Sequence, residues 1–145
     1  MNRILTVYLD TCCYSRLFDV TDQIDVMEEA GRIRHIISDG YAGKYRIIGS
    51  LAVVTEINQN PNNEERRFIE SLYNLIKSGE AQISEQSAAR AQELQLKGIK
   101  PMDSVHLAVA EAARADYLLT VDKDFIKKCS QPNFTTVKVI NPINF

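Results

Sequence analysis

Four carboxylates stand at positions where a parallel sheet would bring them together. Asp10 directly follows the apolar run ILTVYL, and Asp122 directly follows YLLTV. Glu56 lies in a predicted helix just after the second predicted strand, and Asp103 lies at the start of the helix that precedes YLLTV. Because ligands of open parallel sheets bind at the carboxyl ends of the strands, we expect these four acids to lie near one another at that edge.

Gathering several carboxylates in one place has a free-energy cost. Like charges raise each other's pKa, and burial adds to the penalty for the ionised form. A hard divalent cation compensates for this cost, and ligands that offer only oxygen favour Mg²⁺ or Mn²⁺. Such ions lower the pKa of bound water and bridge phosphate oxygens during an in-line displacement. The four acids therefore predict a Mg²⁺ or Mn²⁺ site suited to phosphate chemistry.

Each acid also has a purely structural interpretation. Asp10, Asp103 and Asp122 each precede or begin a predicted helical segment, where an aspartate commonly caps the first turn. Glu56 fits a solvated helix face equally well. The functional hypothesis therefore depends on the four acids together. The sequence lacks the His and Cys spacing of a zinc site and the glycine-rich or nucleophile motifs of other phosphate and acyl-transfer enzymes.

Three further residues lie close to these acids in the sequence. His106 follows Asp103 by three positions and shares roughly the same helix face. It could lie near the metal or hydrogen-bond a neighbouring acid, although a histidine on a helix face is more often structural. Thr11 and Thr120 flank two of the acids, and we expect their hydroxyls to orient carboxylates or waters.

Basic residues near the predicted site could contact phosphates, although an ordinary solvated surface explains them as well. They are Arg16, Lys97, Lys100, Lys123, Lys127 and Lys128. Of these, Arg16, Lys100 and Lys123 are the substrate-binding candidates.

The elements that must position these residues alternate between strands and helices. Strands are predicted at 4–9, 45–49, 81–83, 117–121 and 136–140. Helices are predicted at 22–40, 51–57, 63–77, 84–97, 103–115 and 122–129, with a short turn within 11–20 and Gly79 ending the helix at 63–77. The helical periodicity predicts burial of Ile24, Met27, Ile33, Ile36 and Ile37 in the first long helix, and of Phe68, Leu72, Leu75 and Ile76 in the third helix. The alternation predicts an α/β fold with a largely parallel sheet.

Composition is that of an ordinary globular chain. The 145 residues are 45% hydrophobic and 25% charged, which predicts a single domain spanning 1–145. A net charge of −2 excludes a wholly basic nucleic-acid binder but leaves room for a local basic patch. Two of the three cysteines are adjacent, so we expect reduced thiols rather than a disulfide framework. Neither a signal peptide nor a membrane span is evident, so we expect a cytoplasmic protein.

Four segments of this chain resemble the PIN domain, the fold of many metal-dependent ribonucleases that include VapC-type toxins. They are VYLDT, SLAVVTEI, MDSVHLAVA and YLLTVDKDF, and they span residues 6–125. The resemblance implies a three-layer α/β/α PIN-like fold with a mostly parallel central sheet. It also implies that Asp10, Glu56, Asp103 and Asp122 form the catalytic and metal-binding site, with Asp124 as a substitute or extra acid.

The same resemblance implies a function. PIN-type enzymes hydrolyse RNA with Mg²⁺ or Mn²⁺, many form homodimers, and the toxins among them are blocked by an antitoxin. This chain departs from the pattern by its extra segment at about 58–80 and by its mildly acidic charge. Two other hypotheses stay open: a non-catalytic PIN-fold module that binds RNA or protein, and a different α/β protein such as a phosphatase or a receiver-like domain.

Overall fold

The computed structural model describes residues 3–145, which form a five-stranded, all-parallel sheet between two layers of helices. The strands are β1 (Thr6–Leu9), β2 (Arg46–Ser50), β3 (Lys77–Ala81), β4 (Tyr117–Leu119) and β5 (Lys138–Ile140). The helices are α1 (Thr11–Arg16), α2 (Ile24–Tyr41), α3 (Leu51–Asn58), α4 (Asn63–Ile76), α5 (Glu85–Leu96), α6 (Pro101–Ala112) and α7 (Lys123–Cys129). The predicted fold class is confirmed. Within 3–145, no helix is both long enough and apolar enough to cross a membrane.

The strand order β3–β2–β1–β4–β5 places the first strand of the chain, β1, at the centre of the sheet. The chain moves outward from β1 through β2 to β3, then returns to the other side of β1 for β4 and β5. The order therefore reverses between β1 and β4, and such a switch point is where open α/β sheets bind ligands. Asp10 and Thr120 come directly after these two strands, and the backbone N–H of Asp10 donates to the carbonyl of Leu119.

Burial is greatest in β1 and in the middle of α6. All of Thr6–Leu9 is buried, as expected for a central parallel strand covered on both faces. In α6, Ser104 and the five residues from His106 to Ala110 are buried. A helix that is apolar over most of its circumference is buried in the core instead of lying on the surface. The acid and the histidine that α6 carries are thus anchored by rigid packing.

The prediction of the third strand was wrong. The strand runs over Lys77–Ala81 instead of 81–83, and α4 passes into it directly after Ile76. Its sequence, KSGEA, has no apolar alternation because this edge strand is largely exposed and pairs only with β2. Gly79, expected to end α4, lies within the strand at a φ of 121°.

Part of the predicted core was also wrong. Ile24 and Met27 are 73% and 57% exposed, and the α4 residues Phe68 and Leu75 are 55% and 59% exposed. The predicted burial of Ile76 is confirmed, and Leu72 is partly buried, but the other buried residues of α4 are Ile69 and Tyr73. The exposed and the buried apolar residues of α4 both recur at helical spacing, on adjacent faces of the helix. Local periodicity therefore does not distinguish the two faces, and packing against the rest of the fold decides which one is buried.

Gly49 in β2 is required by the close approach of Tyr73. A Cβ on Gly49 would lie 2.1 Å from the hydroxyl oxygen of Tyr73, whose ring is buried. The absence of a side chain lets α4 pack tightly over β2. That packing supports Ser50 at the carboxyl end of the strand, where α3 begins.

Candidate metal centre

The side chain of Asp10 is buried and faces other side chains rather than the helix it precedes. Asp10 occupies the N-cap position of α1 but makes no side-chain cap hydrogen bond, so its interpretation as a cap is wrong. Its Oδ2 accepts a hydrogen bond from the Thr120 hydroxyl at 2.8 Å and contacts Cys12 Sγ at 3.3 Å. The residue is only 5% exposed. A buried carboxylate without a cap role or an ion-pairing Lys or Arg among the described residues is the central feature of this site.

Glu56 and His106 meet beside Asp10. The imidazole Nε2 of His106 hydrogen-bonds to Glu56 Oε1, and it lies 3.6 Å from Asp10 Oδ1. One ligand atom from each of the three residues lies within 4.8 Å of the others. Glu56 retains 30% side-chain exposure, whereas His106 is fully buried. The solvated-face interpretation of Glu56 is therefore incomplete, because its carboxylate points toward the site.

Burial and mutual contact shift the pKa values of this pair. Burial alone would raise the pKa of Glu56, but the hydrogen bond and the charge of His106 outweigh it and hold that pKa below its usual range. Burial lowers the pKa of His106, yet the hydrogen bond to Glu56 and the nearby charge of Asp10 raise it above the usual range. Both shifts favour an ionised Glu56 carboxylate beside a protonated His106.

Asp103 is the acid most affected by its surroundings. It is the third residue of α6, and Lys100 rather than Asp103 occupies the N-cap position, so its interpretation as a cap is wrong. Burial, followed by the charges of Asp10 and Asp122, raises the pKa of Asp103 to about 6. The structure therefore brings Asp103 within electrostatic reach of both strand-end acids.

Asp122 combines a structural contact with its place in the cluster. Its Oδ1 accepts a hydrogen bond from the backbone N–H of Phe125 and caps α7, as the structural interpretation predicted. This bond uses one of its two carboxylate oxygens. Its charge nevertheless acts on Asp103, so the cap role and a site role are compatible.

The threonines differ in their contacts. Thr120 is fully buried, donates to Asp10 and accepts from the backbone N–H of Asp122 at 3.2 Å, so one hydroxyl links two acids. Thr11 is buried, and its hydroxyl makes no hydrogen bond among residues 3–145. The predicted orienting contact is present for Thr120.

Sequence reasoning missed two residues that contact this site. The Tyr8 hydroxyl lies 2.6 Å from His106 Nδ1 and 2.6 Å from Ser50 Oγ. Tyr8 is hidden in the apolar run of β1, where its only signal is a polar hydroxyl in a fully buried strand. The other is Cys12, whose Sγ lies 3.3 Å from both Asp10 Oδ2 and Thr120 Oγ1. Cys13, by contrast, packs in the core and contacts the carbonyl of Leu119.

A family comparison now bears on this geometry. The PIN domain model matches residues 7–130, a span that contains all four acids. The chain belongs to the PIN-domain family. No curated protein sequence matches the chain.

The PIN fold is also seen in a solved structure. One chain of the crystal structure of VapBC2 from Rickettsia felis, bound to a DNA fragment from their promoter, superposes on this PIN domain with a TM-score of 0.64. The alignment covers 93% of this chain and 98% of that one at 14% sequence identity. At this level of identity the likeness concerns the fold.

Two of the other candidates in this PIN domain have partners outside the cluster. Asp124 is exposed and forms an ion pair with Lys128 at 2.9 Å, which lowers the pKa of its carboxyl group. Arg16 contacts Asp19 at 2.9 Å and Glu29 at 3.4 Å, so its guanidinium is held between α1 and α2.

The two lysine candidates remain near the acids. Lys123 directly follows Asp122, and its side chain is 85% exposed, with Asp25 at 3.9 Å. Lys100 immediately precedes α6, and its charge moderates the raised pKa of Asp103. Both lysines can offer a positive charge beside the acidic cluster.

Proposed function

We propose that this PIN domain is a metal-dependent endoribonuclease whose site consists of Asp10, Glu56, Asp103 and Asp122. The observation that carries the proposal is the buried Asp10 carboxylate, which caps no helix and lies at the switch point of the sheet with the other acids around it. A fold retains such an unfavourable group where a cation compensates for it. Asp122 is favoured over Asp124 as the fourth acid because Asp124 is exposed and paired with a lysine.

The carboxylates suit Mg²⁺ or Mn²⁺. When bound, either ion supplies activation of water and stabilisation of charge on the phosphate. The protein's own contribution is orientation: Thr120 holds Asp10, and His106 holds Glu56. Asp103, with its pKa raised to about 6, is the acid whose ionisation gains most from a nearby cation.

RNA is the proposed substrate, with its phosphates directed by basic groups at the rim of the site. A cavity of about 380 Å³ lies where β5 ends, next to α7. Its lining residues are Asp25, Glu29, Lys123, Ile126, Lys127, Asn141, Ile143 and Asn144. Two lysines and two asparagines there offer donors for phosphate and for nucleotide edges.

Cleavage of RNA by the purified protein tests this proposal. Wild type with Mn²⁺ should cut single-stranded RNA, Asp10→Asn should not, and chelation should stop the wild-type reaction. Asp124→Asn is the matched control, since it removes an aspartate outside the cluster and should leave cleavage intact. Equal cleavage by wild type and Asp10→Asn would refute the site assignment. Calorimetry that detects no Mn²⁺ binding would favour the alternative, a non-catalytic PIN-fold module that binds RNA or protein.

We also propose a protein partner of the antitoxin kind. Support comes from an apolar groove between α1, α2 and α4, lined by Leu17, Phe18, Arg34, Ile37, Phe68 and Leu72. The structural neighbour named above is part of a VapBC2 complex. Co-expression with a small protein encoded by an adjoining gene should yield a co-purifying complex that Phe68→Asp weakens. Sedimentation of the isolated chain would show whether a homodimer forms.

A further inference from the structure

A buried chain of hydrogen bonds runs from the first turn of α3 to Glu56. It begins at the backbone N–H of Val53, which donates to Ser50 Oγ at 3.3 Å. Ser50 is fully buried, and the other contact of its Oγ is the Tyr8 hydroxyl at 2.6 Å. The Ser50 hydroxyl must therefore donate to Tyr8, because a buried hydroxyl hydrogen without an acceptor is costly.

The orientation of the Ser50 hydrogen bond fixes the direction of the next one, from Tyr8 to His106. Its hydroxyl oxygen accepts from Ser50, so its own hydrogen points to the second neighbour, His106 Nδ1 at 2.6 Å. Burial raises the pKa of Tyr8 far above its usual range, so the hydroxyl keeps its hydrogen. An imidazole that accepts at Nδ1 carries its hydrogen on Nε2. That nitrogen faces Glu56 Oε1 and donates to it.

We propose that Tyr8 and Ser50 are positioning residues that make His106 a hydrogen-bond donor to Glu56 and prevent it from serving as a metal ligand. Nε2 lies near the ligand atoms of Asp10 and Glu56, within the same 4.8 Å group. A nitrogen that bears hydrogen has no lone pair for a cation. The metal site then consists of oxygen ligands alone, a set suited to Mg²⁺ or Mn²⁺ rather than Zn²⁺.

This inference deepens the proposed function and rests on it for the metal, but its first test needs neither metal nor turnover. The protein is labelled with ¹⁵N-histidine and studied by NMR without metal, at a pH where the imidazole is neutral. The chain has two histidines, and exposed His35 is the internal reference. We expect hydrogen on Nε2 and none on Nδ1 of His106, and retention of the Nε2 hydrogen when Mg²⁺ is added.

Two outcomes would overturn the inference. One is a His106 ring with its hydrogen on Nδ1 in the metal-free protein, and the other is loss of the Nε2 hydrogen on addition of Mg²⁺. The expected tautomer in a protein that cuts no RNA would count against the ribonuclease proposal alone. The two failures are therefore distinguishable.

A variant pair extends the test to metal affinity. Tyr8→Phe removes only the hydroxyl, so Nδ1 loses its donor and an Nδ1-protonated form should appear. Mn²⁺ affinity measured by calorimetry should fall about tenfold, the usual effect of removing a group that orients a ligand. Tyr73→Phe is the control: its hydroxyl contacts the Ser50 carbonyl and Glu80, not His106, so affinity and tautomer should not change. A Tyr8→Phe protein with the wild-type tautomer and affinity would refute the positioning role.

Discussion

At the level of single residues, the role of a carboxylate in this protein depends on what its oxygens contact. Asp10 and Asp124 both stand beside helix starts near the carboxyl edge. Asp10 is buried against Thr120 and Cys12, whereas Asp124 is exposed beside Lys128. Sequence reasoning treated both as candidates, since an aspartate beside a helix start looks alike in either surroundings. Only the burial of Asp10 separates them.

The raised pKa of Asp103 predicts a pH-dependent cost to folding. Its native pKa of about 6 lies above the ordinary 3.8, so the native state binds more protons between these values. Stability from this group therefore falls as pH rises from about 4 to 6. A pKa difference of about two corresponds to a free energy of unfolding of about 3 kcal/mol for a fully buried group. Solvent screening of this half-buried carboxyl reduces that contribution to about 1 kcal/mol. Asp103→Asn should be more stable than wild type by about that amount at pH 7.5 without metal.

Urea denaturation with a chelator present measures this difference. The gain of Asp103→Asn should shrink toward zero at pH 4. Asp124→Asn, which changes an exposed carboxylate, should show no comparable gain at pH 7.5. An Asp103→Asn advantage of the same size at both pH values would contradict the linkage argument.

Metal binding should stabilise the native state through the same acids. A ligand at one hundred times its Kd adds about 2.7 kcal/mol to the free energy of unfolding. Saturating Mg²⁺ or Mn²⁺ should therefore raise the Tm of wild type. Asp10→Asn should show little or no shift at the same concentration, and Asp124→Asn should shift like wild type. Identical shifts in all three proteins would point to metal bound elsewhere.

At the level of elements, strand ends and helix starts position the site. Ser50 ends β2, caps α3 and contacts Tyr8 of β1, so it ties together the two central elements and the helix that carries Glu56. The cap was predictable, because Ser before a helical run is a local signal. The contact with Tyr8 was not, because it joins residues 42 positions apart.

Two Gly→Ala substitutions should have opposite effects on stability, because Gly49 lies against Tyr73 of α4 whereas Gly31 of α2 has open space around it. Gly49→Ala places a methyl group against the buried Tyr73 ring and should destabilise the protein by about 1–3 kcal/mol. Gly31→Ala, in the middle of α2, meets nothing closer than 3.9 Å and should stabilise by about 0.5–1 kcal/mol. Thermal melts of both variants check the pair. Equal effects would show that Tyr73 yields easily at Gly49.

At the level of the whole molecule, the distribution of charge matters more than its sum. A net charge of −2 is compatible with the proposed binding of RNA only if basic groups are concentrated near the site. Lys123, which directly follows Asp122, and Lys127 line a cavity beside α7. Lys44 precedes β2 and therefore lies toward the amino end of the sheet, where it pairs with Asp39.

These locations predict different effects for two lysine substitutions. Lys123→Gln should weaken RNA binding and reduce the slope of log affinity against log salt by about 0.7, the value for one phosphate contact with a single strand. Lys44→Gln removes an exposed positive charge at the opposite end of the sheet and should change neither quantity. Binding measured over a salt series, with Asp10→Asn as the background to prevent cleavage, provides the comparison. An equal loss in both variants would indicate a general charge effect.

The sequence by itself determined the alternation of strands and helices and the four acids near strand ends and helix starts. These depend on periodicity and on contacts within one turn, which neighbouring residues specify. The tertiary structure decided which apolar stripe of α4 is buried, where the edge strand β3 runs, and which hydroxyl faces His106. Those choices depend on free energies of contact between residues such as Tyr8 and His106, 98 positions apart, and no local pattern encodes them.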